Sequence, residues 1–286
     1  MINIIYTILL FNILIIIFKM FEKYKVNSLL ALTFNYLTAG ICSYILLESN
    51  FSFHNIINSY WLLHSISIGI LFMVVFYLYG LGTQKVGIAI TTLANKMSLI
   101  IPVTVAIILY DETFTYLKGL AFFLAISGVY LSSTKDGGLS FDKKYIWLII
   151  LVFVGQGISD SIFNDFAQKF PTDRGYLFFI VLFFSAAVSG IIIHIFKSFK
   201  KQQNSLQLKS ILWGFLFGIP NFFCLVFFLK ALTISNLNSS TIFTLVSIGI
   251  VVSSSLIAMF FFKEKLSTTN WIGILLCVCA IYIFSL

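Results

Sequence analysis

Charge is scarce in this chain. Asp, Glu, Lys and Arg together make up 10% of 286 residues, against about a quarter in an ordinary globular domain, and the mean hydropathy is +1.04. A soluble domain is excluded. Histidine is rarer still, with His54, His64 and His194 only, none at ligand spacing from another and none in an H-E-x-x-H pattern, so zinc chemistry has no ligand set. No G-x-S-x-G elbow and no G-x-x-x-x-G-K-[ST] loop occurs, which removes the serine-hydrolase and nucleotide-driven classes. The four cysteines, Cys42, Cys224, Cys277 and Cys279, all fall in apolar stretches and read as packing residues rather than disulfides. There are only three prolines. Long polar segments are also missing: the stretches 134–144 and 197–209 are too short to fold alone, so no soluble catalytic module exists and no cofactor is implied.

What is abundant is apolar sequence, at 60% of the chain. A hydrocarbon core about 30 Å thick takes roughly 20 apolar residues per helix. Stretches of that size recur at 2–18, 27–47, 60–81, 86–109, 117–132, 145–163, 175–196, 210–229, 237–262 and 270–286. The expectation is an all-α integral membrane protein of about ten transmembrane helices, with lipid as an obligate partner. The first stretch, "MINIIYTILLFNILIIIF", has no basic leader and no small-residue cleavage site, so it reads as a retained helix rather than a signal peptide.

The formal net charge is +8, but the basic residues are spread over short connections, with no soluble surface to form a nucleic-acid groove. They read as topology signals. Counting alternate connections, about thirteen of the 18 Lys and Arg fall on one side, which the positive-inside rule makes cytoplasmic. The stretch 197–209 is then cytoplasmic, the Lys- and Arg-free stretch 48–59 is external, and both termini are outside.

The two halves of the chain also resemble each other. "IILYDETFTYLKGLAFFLAISGVYLSS" (107–133) aligns with "MFFFKEKLSTTNWIGILLCVCAIYIFSL" (259–286) through Glu112 and Glu264, Gly119 and Gly273, and Tyr130 and Tyr282. With about five spans in each half, an odd number, the second copy enters the membrane upside down. The predicted organisation is a first five-helix repeat at 1–133, a connection at 134–144 and a second repeat at 145–286. Inverted repeats of this kind can exchange two related arrangements, one open to each side of a midplane site.

Ten spans in two such repeats resemble the drug/metabolite transporter superfamily, EamA-like branch. The similarity rests on Pro102, Glu112 and Gly119 in the first half and on Lys230-Ala231-Leu232, Glu264 and Gly273 in the second. One departure is Ser254, near where a proline matching Pro102 would fall. The resemblance implies gradient-driven transport of a small organic metabolite, as exporter or exchanger, in the inner membrane of a bacterium, without nucleotide hydrolysis. Family members commonly keep their termini in the cytoplasm, opposite to the lysine count. A coupling proton or counter-substrate and a homodimer stay open as partners; a non-transporting receptor or scaffold, or an integral membrane enzyme, is the alternative function.

Lys96 is the most anomalous residue. In "TTLANKMSLIIPV" it stands about ten residues into its span, roughly 15 Å deep at 1.5 Å per residue. A charge there costs about 2.5–3.5 kcal/mol on insertion scales and is expected to face a polar cavity or a partner. The expected partner is Asp160 in "GQGISDSIFND", with the competing reading that Asp160 is the wet end of its helix. Asn95 and Gln156 accompany these two charges. Asn221, which follows a helix-breaking Pro220, together with Asn238 and Asn35, completes the predicted substrate-binding set, because an amide in hydrocarbon needs a partner. Tyr77 and Tyr79 read as an interfacial belt. Ser239, Ser240 and Ser253–Ser255 read as ties between helices.

Overall fold

A computed structural model describes residues 2–47, 53–109, 116–132, 134–135, 138–139, 141–169, 176–199, 207–234 and 239–284. Among the described residues the regular structure is helical apart from one two-residue antiparallel ladder. Its helices are α1 (Ile2–Lys23), α2 (Ser28–Ile45), α3 (Phe53–Ile57), α4 (Leu62–Lys85), α5 (Ile88–Met97), α6 (Ile100–Leu109), α7 (Tyr116–Ser132), α8 (Ile146–Lys169), α9 (Tyr176–Phe199), α10 (Leu208–Ile234), α11 (Ser239–Phe260) and α12 (Thr268–Phe284). In the connection after α7, Thr134 pairs with Leu139 and Lys135 with Gly138. Among the described residues, six helices are long and apolar enough to cross a membrane, and four shorter apolar stretches accompany them. Helix is the outcome physics favours, because a backbone in lipid must satisfy its own hydrogen bonds. Large apolar side chains such as Leu9, Phe123, Ile150, Ile192, Leu216 and Leu275 are exposed on the outside, where lipid tails would cover them.

Two helix starts are tied to the ends of distant helices. Asn27 caps α2 by accepting from the Leu30 N–H at 3.2 Å, and its own N–H donates to Ser210 Oγ at 2.9 Å, which sets α2 beside the start of α10. Ser267 and Asn270 bond reciprocally at the start of α12, a capping-box arrangement. Asn270 Nδ2 then reaches the Ser132 carbonyl at the end of α7, at 2.8 Å. Small residues let helices approach closely: Gly214 and Gly218 on α10 face Ala31, Asn35 and Thr38 on α2, and any Cβ there would strike α2 backbone.

The packing pairs show a regularity. Helix α1 lies against α10 and α11, and α8 lies against α4 and α5; α2 packs on both α9 and α10, and α4 on α9; α7 pairs with α12. Exchanging α1 with α8, α2 with α9, α4 with α10, α5 with α11 and α7 with α12 maps these pairs onto one another. The ends of α1, α4, α7 and α11 and the starts of α2, α5, α10 and α12 share one face, where Lys19, Lys23, Lys25, Lys85, Lys209, Lys263 and Lys265 also lie. That face is called the lysine-rich face below.

Three expectations need correction. The fourth span is broken, with α5 ending at Met97 and α6 beginning at Ile100. Pro102 has no N–H for the Ser98 carbonyl; the Ile101 N–H takes that carbonyl instead at 2.9 Å in a tighter turn, while Ser98 Oγ donates to the Asn95 carbonyl at 2.5 Å. Conversely, Pro220 breaks nothing, since α10 runs through it for 27 residues, held on both sides of the ring by Gly214, Gly218 and Asn221 against α2. Third, Tyr79 is not interfacial. Helix α4 continues to Lys85, so Tyr79 is buried, and its hydroxyl shares a 2.7 Å hydrogen bond with Thr92 on α5.

Candidate functional site

The break in the fourth span leaves Asn95 and Lys96 in the last turn of α5, about 12 Å along the helix from its start at 1.5 Å per residue. They border a cavity of about 100 Å³, several times the roughly 10–15 Å³ a single water requires. Its walls come from α1, α4, α5, α8, α10 and α11, that is, from both halves of the chain.

The polar groups of the wall form a chain. Asn95 Nδ2 donates to Gln156 Oε1 at 2.9 Å, and Gln156 Nε2 donates to Asp160 Oδ1 at 2.8 Å. Gln156 and Asp160 stand four residues apart and so share one face of α8. Helix α8 continues to Lys169, more than two turns past Asp160, so Asp160 is an interior residue rather than a wet end. Asn95 is buried, and its Oδ1 has no hydrogen-bond partner among the described residues, which leaves one acceptor available beside the cavity.

Lys96 does not touch Asp160. Its ammonium sits 4.2 Å from the centroid of the Phe11 ring, where the ring quadrupole offsets part of the loss of water. Phe11 in turn meets the Tyr79 ring edge-on at 6.2 Å. The lysine and the aspartate face the same cavity and act on each other through space. The remaining wall is apolar and aromatic, including Phe18, Phe72, Phe76, Phe163 and Phe228.

Five of the seven predicted site residues, Asn95, Lys96, Gln156, Asp160 and Asn221, therefore line one cavity. Asn35 stands behind them: it is fully buried and accepts a hydrogen bond from Asn221 Nδ2 at 3.1 Å, so it positions Asn221. Asn238 lies outside the described residues. Phe11 is a wall residue that the sequence did not single out, Tyr79 is one that it read as interfacial, and Asn12 on α1, whose Nδ2 donates to Ser253 Oγ on α11 at 2.7 Å, was not singled out either.

The EamA-like transporter family profile matches residues 143–286, which is half of the chain. The chain belongs to the EamA-like transporter family. It is an integral membrane transporter, and a small molecule is the substrate class that membership carries. A protein of Haemophilus influenzae (strain ATCC 51907 / DSM 11121 / KW20 / Rd), described as uncharacterized, is 28% identical over 289 residues, covering 98% of this chain and 96% of its own length. A crystal structure superimposes with a TM-score of 0.63 at 14% identity, covering 99% of this chain and 94% of that one. That likeness concerns the fold alone. Within this EamA-like chain, the cavity around Lys96 brings a lysine, a carboxyl group and three amides together inside the bundle.

Proposed function

We propose that this EamA-like protein is a secondary transporter that carries small polar or zwitterionic organic metabolites across a bacterial inner membrane, as exporter or exchanger, by alternating access. The observation that carries the reading is a cavity walled by both halves of the chain, lined by a cation, a carboxyl group and amides from α5, α8 and α10. A substrate carboxylate would be drawn to Lys96. A substrate ammonium would find Asp160 on α8, with the Asn95 Oδ1 that has no partner among the described residues as a further acceptor on α5, and the aromatic walls would cover its apolar part.

The two proposed repeats, 1–133 and 145–286, supply the motion. The exchange of helix partners described above supports them, since a bundle whose contacts map onto themselves can adopt two related arrangements. A proton or a second metabolite would provide the driving gradient. The reading is tested by comparing metabolites inside and outside cells with and without the gene, and then by offering the metabolites that differ, in labelled form, to the protein in liposomes. Saturable counterflow of one of them supports the proposal, whereas specific binding without counterflow would make the chain a receptor.

A further inference from the structure

Between the cavity and the lysine-rich face stand two closures. The first is Phe18 on α1, fully buried, whose ring lies 4.7 Å from Phe217, 5.6 Å from Tyr79 and 5.9 Å from Phe76. The second begins one residue later. Lys19 Nζ donates to the Thr83 carbonyl on α4 at 3.1 Å and lies 3.5 Å from Glu264 Oε1.

Glu264 belongs to the connection between α11 and α12, in the second half of the chain. Both of its carboxyl oxygens accept from the N–H of Ile88, at 3.1 and 3.2 Å. Ile88 is the first residue of α5, which has no cap of its own, because the preceding residue is Gly87 at φ +119°. That backbone conformation suits glycine, and a Cβ there would come within 3.2 Å of the Glu264 carboxylate. A helix start with unpaired N–H groups and a positive dipole end is thus capped by a carboxylate distant in sequence.

We propose that the contact of Lys19 and Glu264 with the start of α5 is the gate of the lysine-rich face: the cavity opens to that side only when Glu264 leaves the Ile88 N–H. The inference rests on the alternating-access reading above. Helix α5 carries Asn95 and Lys96, and α1 carries Phe11 and Phe18, so this one carboxylate ties two of the three cavity-lining helices of the first half to the second half. Any displacement of the halves that exposes Lys96 to this face must pull the contact apart. Its strength fits a gate. Both side chains keep about a fifth of their surface exposed, so water can take over each partner as the contact separates, and a few polar interactions of this kind are readily broken and remade.

Cys224 lines the cavity and serves as a native reporter. With Cys42, Cys277 and Cys279 replaced by alanine, membrane vesicles of both orientations are treated with an impermeant thiol reagent and the rate of Cys224 labelling is followed. Glu264→Gln and Lys19→Met should each speed labelling from the lysine-rich face roughly ten-fold, the scale of losing one charge-assisted hydrogen bond, and should not speed it from the opposite face. Combining them should add little, because both break the same contact. Unchanged rates in both variants, or equal acceleration from both faces, would overturn the gate. Rates are taken on protein that elutes as a single species in detergent, and Lys19→Met carries the test where Glu264→Gln does not fold. Labelling needs no substrate, so a failed gate is distinguishable from a failed transport reading, which counterflow by the unmodified protein decides.

Discussion

Replacing Gln156 with leucine removes the middle of the polar chain on the cavity wall and leaves two groups stranded. Asn95 Nδ2, on α5, loses its 2.9 Å partner, and Asp160 Oδ1 loses its 2.8 Å donor. Interhelical hydrogen bonds in membranes average about 0.6 kcal/mol and reach about 1.7, while a bond to a charged acceptor contributes about 1.5–3 kcal/mol in proteins generally. Leucine matches the lost volume closely, so little packing energy changes. The sum is a destabilisation of about 2–5 kcal/mol. Unfolding in mixed micelles by a denaturing detergent, followed by circular dichroism, measures it. Ser161→Ala is the control, because Ser161 Oγ donates only to the Gly157 carbonyl of its own helix at 2.8 Å, and it should change stability by less than about 1 kcal/mol. In the background of Asn95→Leu, the cost of Gln156→Leu should fall by about 0.6–1.7 kcal/mol, the interhelical share. A Gln156→Leu protein within about 0.5 kcal/mol of the unmodified one would refute the reasoning, since no buried bond of this kind is that weak on both sides at once.

Two further outcomes follow from the same geometry. Phe11→Leu removes the ring under Lys96 and should weaken substrate handling less than Asp160→Asn does, because a cation–π contact contributes about 0.5–2 kcal/mol; liposome flux of the two variants side by side checks the order, and a larger loss from Phe11→Leu would show that the ring, not the carboxyl, balances the lysine. For orientation, an impermeant thiol reagent on intact cells should label a cysteine at Ser52 and spare one at Gln203 once the native cysteines are replaced, as the lysine asymmetry requires; the reverse pattern would put the lysine-rich face outside.

The membrane helices were legible because apolar runs of span length have few other meanings. Lys96 was legible for the complementary reason, as a cation where hydrocarbon makes charge costly. Asp160 followed as one of the few carboxylates inside a predicted span, with Gln156 named as its neighbour; that the two share one face and join Asn95 came from the structure. Phe11 was not legible: among 33 phenylalanines, nothing local distinguishes the one that lies under an ammonium group. The position of the helix break was misplaced, since Pro220 and Pro102 look alike in sequence and differ only in what packs around them. The remote cap by Glu264 shows the same limit. Its acid was visible as a marker shared by the two halves, but its partner, a bare helix start 176 residues away, exists only once the halves have met.

The most direct test of a midplane lysine site is counterflow into sealed liposomes without ATP, comparing the unmodified protein with Lys96→Met at matched insertion. The account predicts saturable, ATP-independent exchange of a labelled metabolite by the unmodified protein, and loss of that exchange in a variant that still inserts and elutes as a single species. Full counterflow by Lys96→Met, or a strict requirement for ATP with ion gradients held fixed, would contradict it.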